Sequence, residues 1–223
     1  MPTKSEQLFE EFCDRNNVRW RRIETAEDEG EERPDYELVL SGERVIAEVK
    51  QFDPTVEEQR LIEELELRGS TGVFGGEPGD RARKKIDKGA RQLRTLAKGV
   101  SPTLLVLYNN VAKLTCRHTD PYAIKTAMYG LEAFTIATNC QTPTVLERDF
   151  APRGKKRVTP SANTSLSAIG VLWDGDAPQL GLTVYHNIHA RFPLKADWVR
   201  CPLVRHYTLG AKTIGQFRDW VEI

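Results

Sequence analysis

The segment that decides the fold is residues 34–52, PDYELVLSGERVIAEVKQF, in which two largely apolar runs flank Ser41 and Gly42. Each run is rich in Val, Ile, Leu and Tyr, as strands are, and Ser-Gly is a signal for a two-residue hairpin turn. Counting outward from this turn places Asp35 directly opposite Glu48. The sequence therefore predicts a β-hairpin that brings two carboxylates together.

A third charged residue, Lys50, joins these two acids. It lies two residues beyond Glu48, and because side chains alternate along a strand, all three charges fall on one face. Opposed residues have Cβ atoms roughly 4.5 to 5.5 Å apart, and like charges placed there destabilise a sheet. Two carboxylates at this separation suit Mg²⁺, which keeps its other positions for water and phosphate oxygens. With an ammonium group beside the metal-bound water, the arrangement supports phosphodiester hydrolysis.

The alternative for these three residues is a surface salt-bridge ladder, which contributes about 0 to 1 kcal/mol to stability. The apolar residues on both faces of the hairpin argue against it, because a charge in buried surroundings needs a partner. The charged face also carries Val39 and Ile46. The opposite face carries Tyr36, Leu38, Leu40, Val45, Ala47 and Val49. Buried ionisable groups gathered at one point favour a functional site.

The composition is that of a soluble globular protein. The 223 residues, 39% hydrophobic and 29% charged, can form one large or two small domains, and we treat residues 1–223 as one. No apolar run is long enough to cross a bilayer, so we expect no membrane partner. The N-terminal segment 1–17 is acidic and lacks the features of a secretory signal. Four scattered cysteines without CxxC spacing also favour reduced thiols and a cytoplasmic location.

Charge is distributed unevenly along the chain, although the formal net charge is zero. Residues 1–66 hold 20 acidic and 9 basic side chains. Between Arg81 and Lys98 there are eight basic residues and one acid, and RGKKR at 153–157 forms a second basic run. Either run could follow a phosphate backbone, and either could be an ordinary solvated surface.

The order of helix and strand patterns predicts an α/β fold. Helical patterns occupy residues 4–16, 54–67, 80–98 and 121–129. Strand patterns occupy residues 18–25, 35–41, 43–52, 103–110, 133–138, 167–173 and 180–187. The C-terminal residues 213–223 could close the domain as a helix. A mixed β-sheet with helices on both faces fits this order best.

The residues around the hairpin resemble the PD-(D/E)xK nuclease superfamily, which has the restriction-endonuclease-like fold. Pro34 and Asp35 stand as its PD, and residues 48–50 stand as its (D/E)xK. The superfamily core is a helix, three strands, a helix and a further strand, an order that this chain offers over residues 4–110, with 111–223 as an elaboration. The resemblance implies a Mg²⁺-dependent nuclease, with Mn²⁺ as a substitute. Asp35 and Glu48 would bind the metal, and Lys50 would assist the attacking water.

Members of this superfamily often bring a further glutamate from the first helix to the metal. The candidates here are Glu6, Glu10 and Glu11. At about 100° per residue, Glu6 lies roughly 90° from the middle of the apolar stripe, and the other two lie about 130° away. Its spacing to the following apolar residues also resembles the E-x-x-A-x-x-Y-L helix of several relatives. We therefore rank Glu6 first and Glu10 second, with a solvated helix glutamate as the alternative.

On the basic helix, Arg81, Lys85, Lys88 and Gln92 lie in register beside the apolar face. This row could face a DNA backbone. Many relatives carry Gln or Lys on the corresponding helix, and Gln92 resembles that residue, although an ordinary solvated glutamine is the alternative. The QxxxY of the recombination-nuclease branch is absent, because Leu96 occupies the tyrosine position.

Two other signals are weaker. His186 and His189 form a His-x-x-His pair. Packing histidines are favoured over a metal site here, because no Cys or Asp lies at ligand spacing. Asn187 is a candidate cap for the following turn. The glycine-rich residues 69–79 lack the Lys-Ser or Lys-Thr ending of a P-loop and are interpreted as a mobile loop over a substrate groove.

Two functions of different class remain. The first is a metal-dependent nuclease that cuts DNA, as a monomer or as a homodimer. The second is a catalytically silent nucleic-acid-binding or protein-interaction module that keeps the same fold. The intact set of Asp35, Glu48 and Lys50 favours the first.

Overall fold

The computed structural model describes residues 2–23, 33–70, 72, 76–111, 118–139, 142–150, 155–175, 179–199, 201–211 and 218–223, and of residues 134–139 and 142–149 the backbone alone. The helices are α1 (Lys4–Arg15), α2 (Val56–Arg68), α3 (Asp80–Ala97) and α4 (Pro121–Tyr129). The strands are β1 (Arg19–Arg22), β2 (Tyr36–Leu40), β3 (Glu43–Phe52), β4 (Thr103–Asn109), β5 (Glu132–Asn139), β6 (Thr142–Phe150), β7 (Ala168–Asp174), β8 (Leu180–His186), β9 (Val204–Leu209) and β10 (Trp220–Glu222). None of the helices in these ranges has the length and apolar character that crossing a membrane requires.

Eight strands form one mixed sheet in the order β1-β2-β3-β4-β7-β8-β9-β10. The steps β1–β2, β2–β3, β7–β8 and β9–β10 are antiparallel, whereas β3–β4, β4–β7 and β8–β9 are parallel. Parallel neighbours require crossover connections, and helices α2 and α3 occupy the connection from β3 to β4. Strands β5 and β6 form a separate antiparallel ribbon. The predicted α/β class with a mixed sheet is confirmed.

One face of the sheet is covered by α1. This helix begins with a capping box, in which Thr3 and Glu6 bond each other's backbone N–H groups. Its buried residues Phe9 and Phe12 lie in one core with Tyr36 and Val49 of the hairpin. The Phe9 and Tyr36 rings meet edge to face, with centroids 5.3 Å apart.

The opposite face is covered by α3 and α4, so the prediction of helices on both faces is also confirmed. Ile86 and Leu93 of α3 lie in a second core with Ile46 of β3 and Leu105 of β4. At Gly89 the helix lies so close to the sheet that an added Cβ would stand 2.5 Å from Leu105 Cδ1. Helix α3 is therefore packed tightly against β4, the neighbour of the strand that carries Glu48 and Lys50.

The structure departs from the predicted order in its last third. Residues 220–222 form strand β10 at the edge of the sheet, so a helix over this part of 213–223 is wrong, while residues 213–217 lie outside the described residues. Strands β6 and β9 were not predicted. The glycine-rich residues 69–79 were predicted as a loop, and those that the structure describes contain no helix or strand, while residues 71 and 73–75 lie outside the described part.

Candidate active site

The hairpin has the predicted register. Ser41 and Gly42 both adopt positive φ, 50° and 84°, as the two central residues of a type I′ hairpin turn must. The two strands then pair from Leu40–Glu43 back to Tyr36–Ala47. One step further, the Asp35 N–H donates a hydrogen bond of 3.0 Å to Glu48 Oε2.

The three charged side chains meet at this point. Asp35 Oδ2 accepts a hydrogen bond of 2.8 Å from the Val49 N–H, so its carboxylate bends back over β3. Lys50 Nζ donates to Glu48 Oε1. The Glu48 side chain is fully buried and that of Lys50 is 16% exposed. The predicted juxtaposition of two carboxylates and one ammonium group is therefore present.

The two carboxyls are strained electrostatically. Burial raises the pKa of Glu48 to about 8, and the charge of Asp35 adds to this rise while Lys50 opposes it. Burial also raises the pKa of Asp35, against the Val49 N–H and Lys50, which lower it. A single ammonium group does not offset the burial of two neighbouring carboxyls, so the site favours a further positive charge.

A divalent cation fits this donor set. Mg²⁺ prefers oxygen ligands and is commonly held by one or two carboxylates, with water and phosphate completing its coordination. Asp35 and Glu48 supply such oxygens, and the raised pKa of each carboxyl shows that negative charge there is poorly compensated. Within the ranges given above, no group of three or more His, Cys, Asp or Glu side chains is placed to hold a metal ion. Any cation here would therefore depend on this pair, with water as a partner.

The surroundings of the hairpin are only partly as expected. Ile46 is fully buried on the charged face, but Val39 is 39% exposed, so the expectation of apolar cover along that whole face is wrong. Glu37 lies between them and accepts hydrogen bonds from Arg21 and Arg44. Near the turn this face is open to solvent, and burial begins only at Ile46 and continues to Glu48.

Helix α1 brings Glu6 toward the site and directs Glu10 away from it. The charge of Glu6 contributes to the raised pKa of Asp35. At the same time Glu6 Oε2 accepts a hydrogen bond of 2.5 Å from the Thr3 N–H in the helix cap. The carboxylate of Glu10 instead accepts a hydrogen bond of 2.8 Å from the Tyr36 hydroxyl and pairs with Arg22. Of the two candidates, Glu6 has the better placement for a metal-bound water.

Helix α3 lines the other side of the site with Lys85 and Gln92. Burial lowers the pKa of Lys85, and the nearby ammonium group of Lys50 lowers it further. Gln92 is buried, and its Nε2 donates to the carbonyl of Arg33, next to the Pro-Asp pair. Its Oε1 has no hydrogen-bond partner among the described residues. An ordinary solvated glutamine does not fit this placement.

The other two members of the predicted row differ from them. Arg81 forms an ion pair of 2.7 Å with buried Glu58, contacts His118 Nε2 at 2.9 Å and donates to the carbonyl of Asp53. Lys88 is exposed to solvent. Arg81 thus holds the start of α2 to α3 and to the end of β3. The capping pattern Thr55-x-x-Glu58, which is present in the structure, is the one sequence signal that would have located Glu58.

Two side chains of the second basic run are paired with acids. Lys155 Nζ lies 2.8 Å from Glu77, and Arg157 Nε lies 2.7 Å from Asp87 of α3. Residues 153 and 154 lie outside the described part. The basic side chains at 155 and 157 therefore join this segment to α3.

The histidines near residue 186 form a packing cluster. His186 Nε2 lies 3.0 Å from Nδ1 of His206, which sequence reasoning did not single out, and His206 Nε2 contacts the carbonyl of Val199. His189 instead meets the ring of Tyr129 edge to face. Asn187 Oδ1 accepts a hydrogen bond of 2.7 Å from the His189 N–H, as predicted for a turn cap. These contacts agree with the preferred interpretation of packing histidines.

Comparisons with protein-family models, with curated proteins and with solved structures found no match to this chain. The relation to PD-(D/E)xK nucleases therefore stays a prediction from the residues. The features that bear on function are the paired carboxyls of Asp35 and Glu48, the adjacent Lys50, and the side of α3 that faces them.

Proposed function

We propose that the protein is a Mg²⁺-dependent nuclease of the PD-(D/E)xK type, which hydrolyses phosphodiester bonds in DNA. The observation that carries the proposal is the fully buried Glu48 carboxyl, held between the Asp35 N–H and the Lys50 ammonium group. A purely structural ion pair gains little from a second carboxyl at the same point, whereas Mg²⁺ is commonly held by two.

The element order supports the restriction-endonuclease-like fold. Helix α1, strands β1 to β3, helix α3 and strand β4 follow one another in the order of that core, with α2 inserted after β3. The (D/E)xK strand β3 is central, with β2 and β4 as its neighbours. Residues after β4 add strands β7 to β10 to the same sheet.

In this proposal each side chain has one task. Asp35 and Glu48 hold the cation, which would neutralise charge on the scissile phosphate and lower the pKa of a bound water. Lys50 keeps Glu48 oriented and presents its ammonium group to the attacking water and to the developing charge on phosphate. Glu6 accepts a hydrogen bond from water at the same end of the hairpin, and Lys85 adds positive charge where the phosphate must lie.

The test is cleavage of plasmid DNA and of fluorogenic DNA and RNA oligonucleotides with Mg²⁺ or Mn²⁺. We expect Lys50→Ala and Glu48→Gln to reduce cleavage at least about 100-fold, because each removes a charge that acts at the reacting phosphate. Glu37→Gln is the matched control: it changes a carboxylate on the same face of the hairpin that is paired with Arg21 and Arg44 instead. It should leave cleavage unchanged.

Equal traces of cleavage in the wild-type protein and Lys50→Ala would indicate contamination and would exclude the nuclease. Calorimetry with Mn²⁺ provides a second reading, because Glu48→Gln should weaken binding whether or not the substrate has been identified. If the wild-type protein bound no divalent cation, the silent interaction module would be the better description.

A further inference from the structure

Helix α3 carries a row of exposed cations that differs from the row predicted from the sequence. Successive members are separated by four, three and seven residues, so at 100° per residue they share one side of the helix. The members are Lys84, Lys88 and Arg91 of α3 and Lys98, the residue that caps its C-terminus, all exposed to solvent. We call this set the cationic row.

Two other basic side chains of α3 serve the fold. Arg83 is buried and lies 2.9 Å from Glu77, and Arg81 is bound to Glu58. Asp87, the one acid in the middle of the helix, is paired with Arg157. These pairs neutralise part of the charge on the flanks of the helix, so its positive side is formed by the cationic row with the exposed Arg94 beside it.

Two members of the cationic row, Lys84 and Arg91, make only weak contacts within the molecule. Lys84 is 77% exposed and lies 3.6 Å from Asp80, an ion pair that in water contributes little. Arg91 Nε donates to the backbone carbonyl of Asp87 in its own helix. This acceptor is neutral, so the bond does not compensate the guanidinium charge. These side chains therefore keep their capacity to bind an anion at the surface.

The row borders the candidate active site. Lys85 and Gln92, which face Lys50 and Arg33, lie on α3 roughly 85° to 105° around the helix axis from the centre of the cationic row. From Lys84 to Lys98 the helix rises about 21 Å, a length that corresponds to roughly six nucleotides of a B-form strand. A strand whose phosphate is held at Lys50 can therefore continue along this side of α3.

We propose that the cationic row binds the phosphate backbone of a nucleic acid strand over several nucleotides beyond the bond that is cut. The substrate is then a polymer that extends along α3 and not a dinucleotide or a short end. This inference rests on the proposed function for the position of the cut, but binding by the row itself requires neither the cation nor Lys50.

The test is a binding measurement in EDTA, with a fluorescent 20-mer as duplex and as single strand, between 50 and 200 mM salt. The variant is Lys84→Gln, Arg91→Gln and Lys98→Asn; asparagine suits the positive φ of 45° at Lys98. Lys88, which has further interactions within the molecule, is left unchanged. The control removes three exposed charges outside α3, with Arg191→Gln, Lys195→Gln and Arg205→Gln.

The expected result is a smaller salt dependence in the cationic-row variant. Each lost phosphate contact reduces the slope of log K against log salt by about 0.9 for duplex and about 0.7 for single strands, so three contacts reduce it by about 2 to 3. The control should keep the wild-type slope. Equal losses in both variants, or no binding by the wild-type protein at 50 mM salt, would overturn the inference.

The same experiment separates this inference from the nuclease proposal. Lys50→Ala removes at most the single phosphate contact at the cut, so its salt slope should fall by less than about 1, against about 2 to 3 for the cationic-row variant. Binding without any cleavage would support the inference about the cationic row and would contradict the nuclease proposal. The opposite outcome is that the wild-type protein and the cationic-row variant both cleave a four-nucleotide substrate as fast as the 20-mer. That result would contradict the inference about the cationic row and would support the nuclease proposal.

Discussion

Glu48 illustrates how a single residue links fold and function. Its carboxyl is fully buried, is bonded on both oxygens, and has a pKa raised to about 8 by burial. A glutamine would fit the same space and would keep an acceptor for Lys50 without the cost of a buried charge. A residue that destabilises the fold at neutral pH is best explained by a partner that needs its charge.

Ser41 provides a test of the hairpin that does not depend on function. It adopts a φ of 50°, a conformation that serine tolerates poorly and asparagine adopts more readily. Because its side chain is exposed, Ser41→Asn should stabilise the protein by about 0.5 kcal/mol without changing any packing. Urea unfolding measures this change.

The control for this turn is Ser41→Val, since a β-branched residue at positive φ should destabilise the hairpin by about 1 kcal/mol or more. If both variants had the stability of the wild-type protein, the turn would not determine the register. The position of Asp35 opposite Glu48 would then need another explanation.

At the scale of elements, the hairpin was predictable and the orientation of α3 was only partly so. A two-residue turn fixes the register, and the period of two then assigns every side chain to a face. On α3 the apolar stripe predicts the centre of the buried side. It does not predict which of the polar residues beside the stripe are covered by the rest of the protein and which face solvent. Arg81 was therefore expected at the nucleic acid, whereas it binds Glu58, which lies 23 residues earlier in the chain.

Gly89 tests how closely α3 must approach the sheet. Gly89→Ala adds about 1 kcal/mol of helix propensity, but its Cβ would stand 2.5 Å from Leu105 Cδ1 in a fully packed core. Overpacking of this kind costs about 1 to 3 kcal/mol, so the steric effect should prevail. We expect a net loss of about 1 kcal/mol in urea unfolding.

A double-mutant cycle identifies the cause of that loss. In the Leu105→Val background the clash is relieved, and Gly89→Ala should cost less than it does alone. Thr95→Ala, on the exposed side of the same helix, is the control for propensity and should be neutral or slightly stabilising. A net gain from Gly89→Ala in the wild-type background would show that α3 can move away from β4.

At the scale of the whole molecule, the sequence predicted the first half of the sheet better than the second. Strands β2, β3 and β4 carry strong apolar patterns, whereas β9 and β10 are short and half-exposed and are defined mainly by their neighbours. The pairing of His186 with His206 likewise joins two parallel strands that are 20 residues apart. Local periodicity contains no signal for such a contact.

The stability of the whole molecule should depend on pH through Glu48. Its pKa is about 8 in the folded protein and near 4.5 when unfolded, so between these values the folded state binds more protons. The contribution of Glu48 to the free energy of unfolding is therefore fully present below pH 4.5 and is lost as the pH rises through 8. His186 acts in the opposite direction, because burial lowers its pKa to about 4 and acid then favours unfolding.

Comparison with Glu48→Gln isolates the contribution of Glu48, because His186 is common to both proteins. In EDTA at pH 8.5 the variant should be more stable than the wild-type protein by about 1 to 3 kcal/mol, less than the full proton linkage because a glutamine amide can accept only one of the two hydrogen bonds that the carboxylate accepts. At pH 5 the difference should nearly vanish. Mg²⁺ should then stabilise the wild-type protein at pH 8.5 and not the variant, since a cation takes the place of the proton. Urea midpoints at the two pH values measure all three effects. If the variant were less stable than the wild-type protein at pH 8.5, Glu48 would be retained for its ion pair and not for a metal.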